Sequence, residues 1–295
     1  MADIWKQFAK GCEVPLGKSI DLDKDFDPAK RSKLVTKKSS VGYLASAVDL
    51  LFELQDKFFA QSDRSLLIVL QATDAAGKDG TIKHVMSGLN PEGVDVYSYK
   101  QPSSAEMTHD YLWRHVAGLP ALGKIAIFNR SHYENVLICR VHPEALWPAA
   151  AHHVKSAALW KRRYREINDW ERYLTENGTV IVKLFLNLSK EEQRRRFLAR
   201  IEEPAKNWKV SAADLKEREY WDDYQSAFQD MINHTNTKYA RWNVIPADHK
   251  WFSHLATSAI LVEALRAINP SYPTVSDAEL AKLADAKKEL LNEQQ

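Results

Sequence analysis

From Val41 onward the chain alternates between two hydrophobic patterns. In YLASAVDLLFELQDKFFAQ (43–61), apolar residues recur three or four positions apart, as at Leu44, Val48, Leu51, Leu54 and Phe58. That spacing predicts an amphipathic helix. LLIVLQA (66–72) is short and apolar on both faces, as expected of a buried parallel strand. The alternation then repeats, with strands predicted at VDVYSY (94–99), KIAIFNR (124–130), TVIVKLFLNL (179–188) and RWNVIPA (241–247). Between them lie helical stretches at TIKHVMSGL (81–89), THDYLWRHVAGL (108–119), about 145–176, KEEQRRRFLARIEE (190–203), WDDYQSAFQDMINHT (221–235) and WFSHLATSAILVEALRAI (251–268).

Strands alternating with helices in this way predict the α/β class, with a five-stranded parallel sheet covered on both faces. No internal repeat or low-complexity linker interrupts the pattern. One domain over 41–270 is therefore expected, with an irregular link over 204–220. Residues 1–40 lack periodicity and read as an arm on the surface or on a partner subunit. Residues 271–295 read as a polar, partly ordered tail.

The 295 residues are 45% hydrophobic and 27% charged, with a net charge of +2, an ordinary globular composition. A protein built to coat nucleic acid is usually more basic, so no nucleic-acid partner is expected. Cys12 and Cys139 are the two cysteines, too few for a structural zinc site built from three or four thiolates or for a disulfide scaffold. No apolar stretch approaches 18 residues and the start has no signal-peptide layout, so the expectation is a cytoplasmic protein with no membrane partner. His132, His142, His152, His153, His249 and His254 form no metal-ligand pattern such as HExxH. The nine tryptophans name no ligand.

Chemistry first shows where the first strand meets its helix, at Ala72-Thr73-Asp74-Ala75-Ala76-Gly77-Lys78-Asp79-Gly80-Thr81. The arrangement is close to the phosphate-binding pattern GxxxxGK[ST]. Ala72 replaces the first glycine, and Asp79 replaces the hydroxyl residue after the lysine. Loop N–H groups and a helix N-terminus still suit phosphate oxygens, and Lys78 adds positive charge. Asp74 and Asp79 would repel such a ligand unless a hard cation such as Mg²⁺ lay between them. The structural alternative is a helix start carrying acids that favour its dipole, which leaves the Gly-Lys pair unexplained.

A second cluster, Asn129-Arg130-Ser131-His132-Tyr133-Glu134, follows the third strand. The C-terminal ends of neighbouring parallel strands open on one crevice, which places Asn129, Arg130 and Glu134 near Asp74 and Lys78. The acid that usually ends this strand is Asn129 here, with Glu134 one turn later. Ser131 and Glu134 also fit a capping box, which does not account for Arg130. Two basic runs follow: Lys155, Lys161, Arg162, Arg163 and Arg165, then Lys190, Arg194, Arg195, Arg196 and Arg200. Such runs are usually solvated faces, but Arg196 and Arg200 share one helix face and are placed to close over a polyanion.

The residues alone indicate a P-loop phosphotransferase working by direct in-line transfer, with a mobile segment over about 194–219 as lid. An ATP-dependent kinase and a catalytically silent phosphate-binding protein stay open at this point.

Four ordered segments resemble the polyphosphate kinase 2 family. They are DAAGKDGTIKHVMSG (74–88), FNRSHYENVLICRVHPE (128–144), residues 186–225 and VIPADHKWF (244–252). The resemblance implies a P-loop kinase-like three-layer α/β/α sandwich with a five-stranded parallel sheet and a helical lid. It implies reversible, Mg²⁺-dependent phosphoryl transfer between inorganic polyphosphate and nucleotides. Asn129 and Glu134 resemble the class III subgroup, which takes AMP to ADP and ADP to ATP; guanine nucleotides are further candidates. By resemblance Asp74, Lys78, Arg130 and Glu134 are catalytic, and Asp74 and Glu134 hold the metal. The phosphate- and nucleotide-binding set is Ala75, Ala76, Gly77, Lys78, Asp79, Gly80, Thr81, Asn129, Tyr133, Arg194, Arg195, Arg196 and Arg200. A homodimer or homotetramer is implied as well.

Overall fold

A computed structural model of the chain describes residues 2–147 and 157–293. Five strands form one sheet: β1 (Ser65–Ala72), β2 (Val94–Ser98), β3 (Ile125–Asn129), β4 (Thr179–Asn187) and β5 (Trp242–Pro246). Their order is β2-β3-β1-β4-β5, and each neighbouring pair is parallel. The longer helices, in chain order, are α1 (Ala2–Lys10), α2 (Ser40–Gln61), α3 (Lys78–Val85), α4 (Ala157–Glu176), α5 (Lys190–Glu202), α6 (Trp221–Thr235), α7 (Lys250–Ile268) and α8 (Asp277–Asn292). All five predicted strands are present, within a residue or two of their predicted bounds.

β1, β3 and β4 are buried on both faces because their side chains alternate between two cores, while the edge strand β2 is partly exposed. Leu66, Ile68 and Leu70 pack with Ile125, Ile127, Leu184 and Leu186 against residues of α1, α2 and α7. Leu67 and Val69 pack with Ala126, Phe128, Ile181 and Phe185 against residues of α4 and α6. β1 is apolar on both faces because it lies between the two cores. The chain leaves β1 toward β3 and β2 and returns past β1 to β4 and β5, so its C-terminal end is the switch point where ligands of such sheets bind.

Two regions differ from expectation. Residues 4–14 pack into the molecule, while much of 15–34 lies exposed on the surface. Trp5 is fully buried and Phe8 nearly so, both packed in the α1–α2–α7 core. Val14 N–H donates to Trp242 O at 3.0 Å and Val244 N–H to Cys12 O at 2.8 Å, so this segment runs antiparallel along the outer edge of β5. It satisfies edge groups that would otherwise stay open. The helix expected over 108–119 is broken into a 3-10 turn, Glu106–Thr108, and one helical turn, Trp113–Val116. Asp110 Oδ1 accepts from Leu112 N–H at 2.9 Å, a local side-chain bond that competes with helix. The helix expected over about 145–176 is α4; residues 148–156, with His152, His153 and Lys155, lie outside the described residues.

α8 starts at a capping box between Ser276 and Glu279 and is exposed along its length. No helix among the described residues is long and apolar enough to cross a membrane.

Candidate active site

The loop after β1 turns sharply because Ala75 (φ 63°) and Gly77 (φ 105°) take left-handed conformations. Gly77 caps α3, whose first residue is Lys78. Lys78 Nζ donates to Ala72 O at 3.1 Å, which folds the side chain back over the loop. Burial pushes its ammonium below the ordinary lysine range, against the pull of Asp74. Among the described residues the N–H groups of Asp74, Ala75 and Gly77 donate to no protein acceptor. Together with the start of α3 they form a cradle for an anion.

β3 brings the second cluster alongside. Arg130 is also left-handed, at φ 60°, and its N–H is tied to Leu70 O at 3.1 Å. Its guanidinium donates to Asp74 Oδ1 at 3.2 Å. Burial lowers the Arg130 pKa, but the carboxylates of Glu134 and Asp74 outweigh it and hold it above the ordinary value. Asn129 Nδ2 donates to Asp79 Oδ1 at 2.9 Å, and Asn129 Oδ1 is buried without a partner. The strand-end amide therefore pairs with the loop acid, where a second carboxylate would repel it.

Ser131 caps the following 3-10 turn by accepting from Tyr133 N–H at 3.2 Å. Glu134 does not complete a capping box. The Gln71 amide, oriented to satisfy both neighbours, donates to Glu134 Oε1 and accepts from Ser131 Oγ, each at 3.0 Å. Burial raises the Glu134 pKa, opposed by Arg130 and Lys78.

The two clusters open on one cleft of about 810 Å³. Residues 74–81 form its floor, and Ser98, Tyr99, Lys100, Asn129 and Arg130 form one end. The other wall carries Arg195, Arg196, Arg200, Lys206, Trp208, Lys209, Asp214, Lys250 and His254. Nine lysines and arginines thus line it against three aspartates. The Arg200 guanidinium lies over the Phe197 ring at 5.7 Å and, among the described residues, makes no hydrogen bond or ion pair. His84 and His254 stack at 4.7 Å, and burial, with His84 and Lys250 nearby, pulls His254 down to about 4.

Tyr133, Glu134 and Arg194 do not line the cleft, and Arg196 lines it with its donors turned away. Tyr133 is fully buried under the sheet, its hydroxyl bonded to Glu171 at 2.6 Å. Tyr133 neighbours Arg130 and Glu134 in sequence, but the tight turn after β3 sends its side chain into the α4–α6 core. Arg194 does not line the cleft and pairs with Glu191 at 2.9 Å. Arg196 reaches the cleft, but its guanidinium is turned to backbone carbonyls. Lys100, Lys206, Lys209, Lys250, His84 and His254 line the cleft unforeseen. Lys250 stood in a quoted segment, and the lid segment held Lys206 and Lys209, but single lysines carry no pattern to mark them.

The described residues hold no group of three or more His, Cys, Asp or Glu that would cage a metal. Asp74 and Asp79 suit an ion bound by one or two carboxylates and completed by phosphate and water, the usual Mg²⁺ arrangement.

A parallel sheet with this strand order, a phosphate cradle at its switch point and a cationic wall opposite define a P-loop kinase-like phosphotransferase. The model of the family described as polyphosphate kinase 2 matches residues 36–273. The chain belongs to the polyphosphate kinase 2 family, and is an enzyme that phosphorylates nucleotides from polyphosphate. It is 44% identical over 291 residues to an ADP-polyphosphate phosphotransferase of Rhodopseudomonas palustris, covering 97% of this chain and 98% of that one. It is 42% identical over 251 residues to an AMP/ADP-polyphosphate phosphotransferase of Meiothermus ruber, covering 85% and 90%. The crystal structure of polyphosphate kinase 2 from Arthrobacter aurescens TC1 superposes with a TM-score of 0.85 at 39% identity, covering 94% of this chain and 96% of that one.

Proposed function

We propose that this enzyme carries out both steps, AMP to ADP and ADP to ATP, reversibly and with Mg²⁺. The supporting observation is the single cleft lined by nine cationic side chains. Arg196 aside, whose donors are held by protein, eight remain; one nucleotide has too few phosphates to engage them, and a nucleotide facing a polyphosphate chain has enough. Lys78 and the loop N–H groups hold the phosphoryl group in transfer. Arg130, fixed by Asp74, contacts the same group from the β3 side, and Arg195, Arg200 and the lysines carry the chain.

Asp74 would hold Mg²⁺, with Asp79 and Glu134 as the further acids near the loop. When bound, the ion screens phosphate charge and orients the phosphate oxygens. In-line transfer needs positioning and charge stabilisation rather than a covalent intermediate. The exposed segment 204–220 overhangs the cleft and supplies Lys206, Trp208 and Lys209; its closure excludes water, which competes with the acceptor oxygen. Guanine nucleotides fit the same phosphate-led recognition.

Two buried, unpaired thiols accord with the reducing cytoplasm. The exposed leucines 280, 283, 290 and 291 of α8 offer an apolar face for a homodimer or homotetramer.

The test incubates the pure enzyme with Mg²⁺, polyphosphate and AMP, without ATP, and follows nucleotides by chromatography. ADP and then ATP should appear only with polyphosphate. ATP from ADP but no product from AMP would restrict the enzyme to diphosphates. Product only with ATP as donor would overturn the reading.

A further inference from the structure

An arginine has five N–H donors, and in Arg196 all five are engaged within the protein. Nε donates to Glu192 Oε1 at 2.8 Å. One terminal nitrogen donates to Ala75 O at 3.0 Å and Ala76 O at 2.8 Å. The other donates to Ala247 O at 2.6 Å and Asp248 O at 3.2 Å. One turn earlier on α5, the Gln193 side-chain amide donates to Asp74 O at 2.9 Å. Both side chains are buried, with 5% and 4% exposure.

Three consecutive loop carbonyls, those of Asp74, Ala75 and Ala76, are thus held by α5. A peptide is planar, so fixing its carbonyl on one side fixes the next N–H on the other. Turning these carbonyls toward α5 leaves the N–H groups of Ala75 and Gly77 for the cleft. The clamp continues outward, because Arg218, within the overhanging segment, donates to Gln193 Oε1 at 2.5 Å and to Lys190 O at 3.3 Å. Ser189, the cap of α5, bonds the Asp248 carboxylate through its N–H at 2.9 Å and its hydroxyl at 2.8 Å.

We propose that Arg196 and Gln193 are positioning residues. They set the phosphate-loop backbone from behind and do not bind substrate, and Arg218 links the same clamp to the overhanging segment. Arg196 is therefore set apart from Arg200, whose guanidinium is free for phosphate. The kinetic part of the test rests on the function proposed above; the backbone part does not.

The experiment compares R196Q, R196K, Q193L and R200M with the parent enzyme. It measures kcat and KM for polyphosphate at several salt concentrations, and hydrogen exchange at loop amides 75–81 in the ligand-free protein. R196Q and Q193L should lose about a hundredfold in kcat, the scale of a misplaced reacting group. Their KM for polyphosphate should stay within about threefold, with the parent's salt dependence, because no substrate ion pair is lost. Loop amides should exchange faster while β1 amides do not. R196K should behave like R196Q, since an ammonium cannot reproduce the planar five-donor fork. R200M should raise KM, flatten its salt dependence and leave loop exchange unchanged.

A raised KM with a flattened salt dependence in R196Q, partial retention in R196K and unchanged loop exchange would place Arg196 on the substrate and overturn the proposal. Should R196Q not fold, Q193L decides alone, and parent-like kcat and exchange in it would overturn the clamp. A parent enzyme inactive with polyphosphate would refute the proposed function, while the exchange comparison would still decide the clamp.

Discussion

Two lysines, one inside the sheet and one at its C-terminal end, show how similar charges come to different ends. Lys183 on β4 is fully buried. Its three donors are all used, by Glu171 Oε2 at 2.7 Å, the Tyr133 hydroxyl at 2.9 Å and Thr235 O at 2.7 Å. Tyr133 donates in turn to Glu171 Oε1 at 2.6 Å, and His132 lies 3.4 Å from the same oxygen. This set is closed. Among the described residues Lys78 makes one bond, to Ala72 O, beside loop N–H groups that also lack acceptors there. A closed set of charges fixes structure, whereas an open set calls for a ligand. The Glu171–Lys183 set still serves the site, because it anchors the turn between Arg130 and Glu134 to α4, β4 and the end of α6.

The sharpest way to break this contrast is at Lys78. K78A should lose about 10³-fold in turnover, the scale of a lost transition-state donor, in a steady-state assay with polyphosphate. On the closed side, K183M leaves Glu171 buried and unpaired. It should lower unfolding stability by about 3–5 kcal/mol in denaturant titrations. A K183M/E171L double variant should recover much of that loss, because no charge is left unpaired.

At the junction of the two regions E134Q and N129D become informative. Each disturbs a bond to a carboxylate, of a kind that contributes about 1.5–3 kcal/mol, so turnover should fall tenfold or more in both. The motif alone suggests that N129D is the milder change. The bond from Asn129 to Asp79 removes that distinction, since an aspartate there faces Asp79 directly. A fully active E134Q would reduce Glu134 to a structural residue.

The smallest effect concerns pH. Burial holds His115 near pKa 2 and His254 near 4, both below their unfolded value near 6.5. Between about pH 6.5 and 4 the unfolded chain therefore binds more protons than the folded one. Stability should be full above pH 6.5 and decline as pH falls through that window. H115Q should make the decline shallower in thermal melts taken across it.

The centre of the sheet was legible in the sequence because parallel strands buried on both faces read as nearly unbroken apolar runs. The loop and the strand-end cluster were legible because a Gly-Lys pair and an Asn-Arg pair directly follow two of those runs. What could not be read depended on distant partners. Trp5 and Phe8 lie in a stretch without periodicity because they pack against α7, more than two hundred residues away. Lys183 looks anomalous in an apolar strand until Glu171 is placed opposite it. Arg194, Arg195 and Arg196 are equivalent as letters, yet one pairs outward with Glu191, one lies at the cleft rim and one is bound by carbonyls. Only the rotation of α5 against the loop separates them.

The most direct test measures turnover and unfolding free energy on the same preparations of K78M and K183M. K78M should lose nearly all polyphosphate-dependent turnover while its stability stays within about 1 kcal/mol of the parent, the range of a change away from the core. K183M should lose several times that stability. A K78M protein that keeps its turnover, or one destabilised as much as K183M, would show that the charges in the cleft are part of the scaffold and would contradict their assignment to substrate.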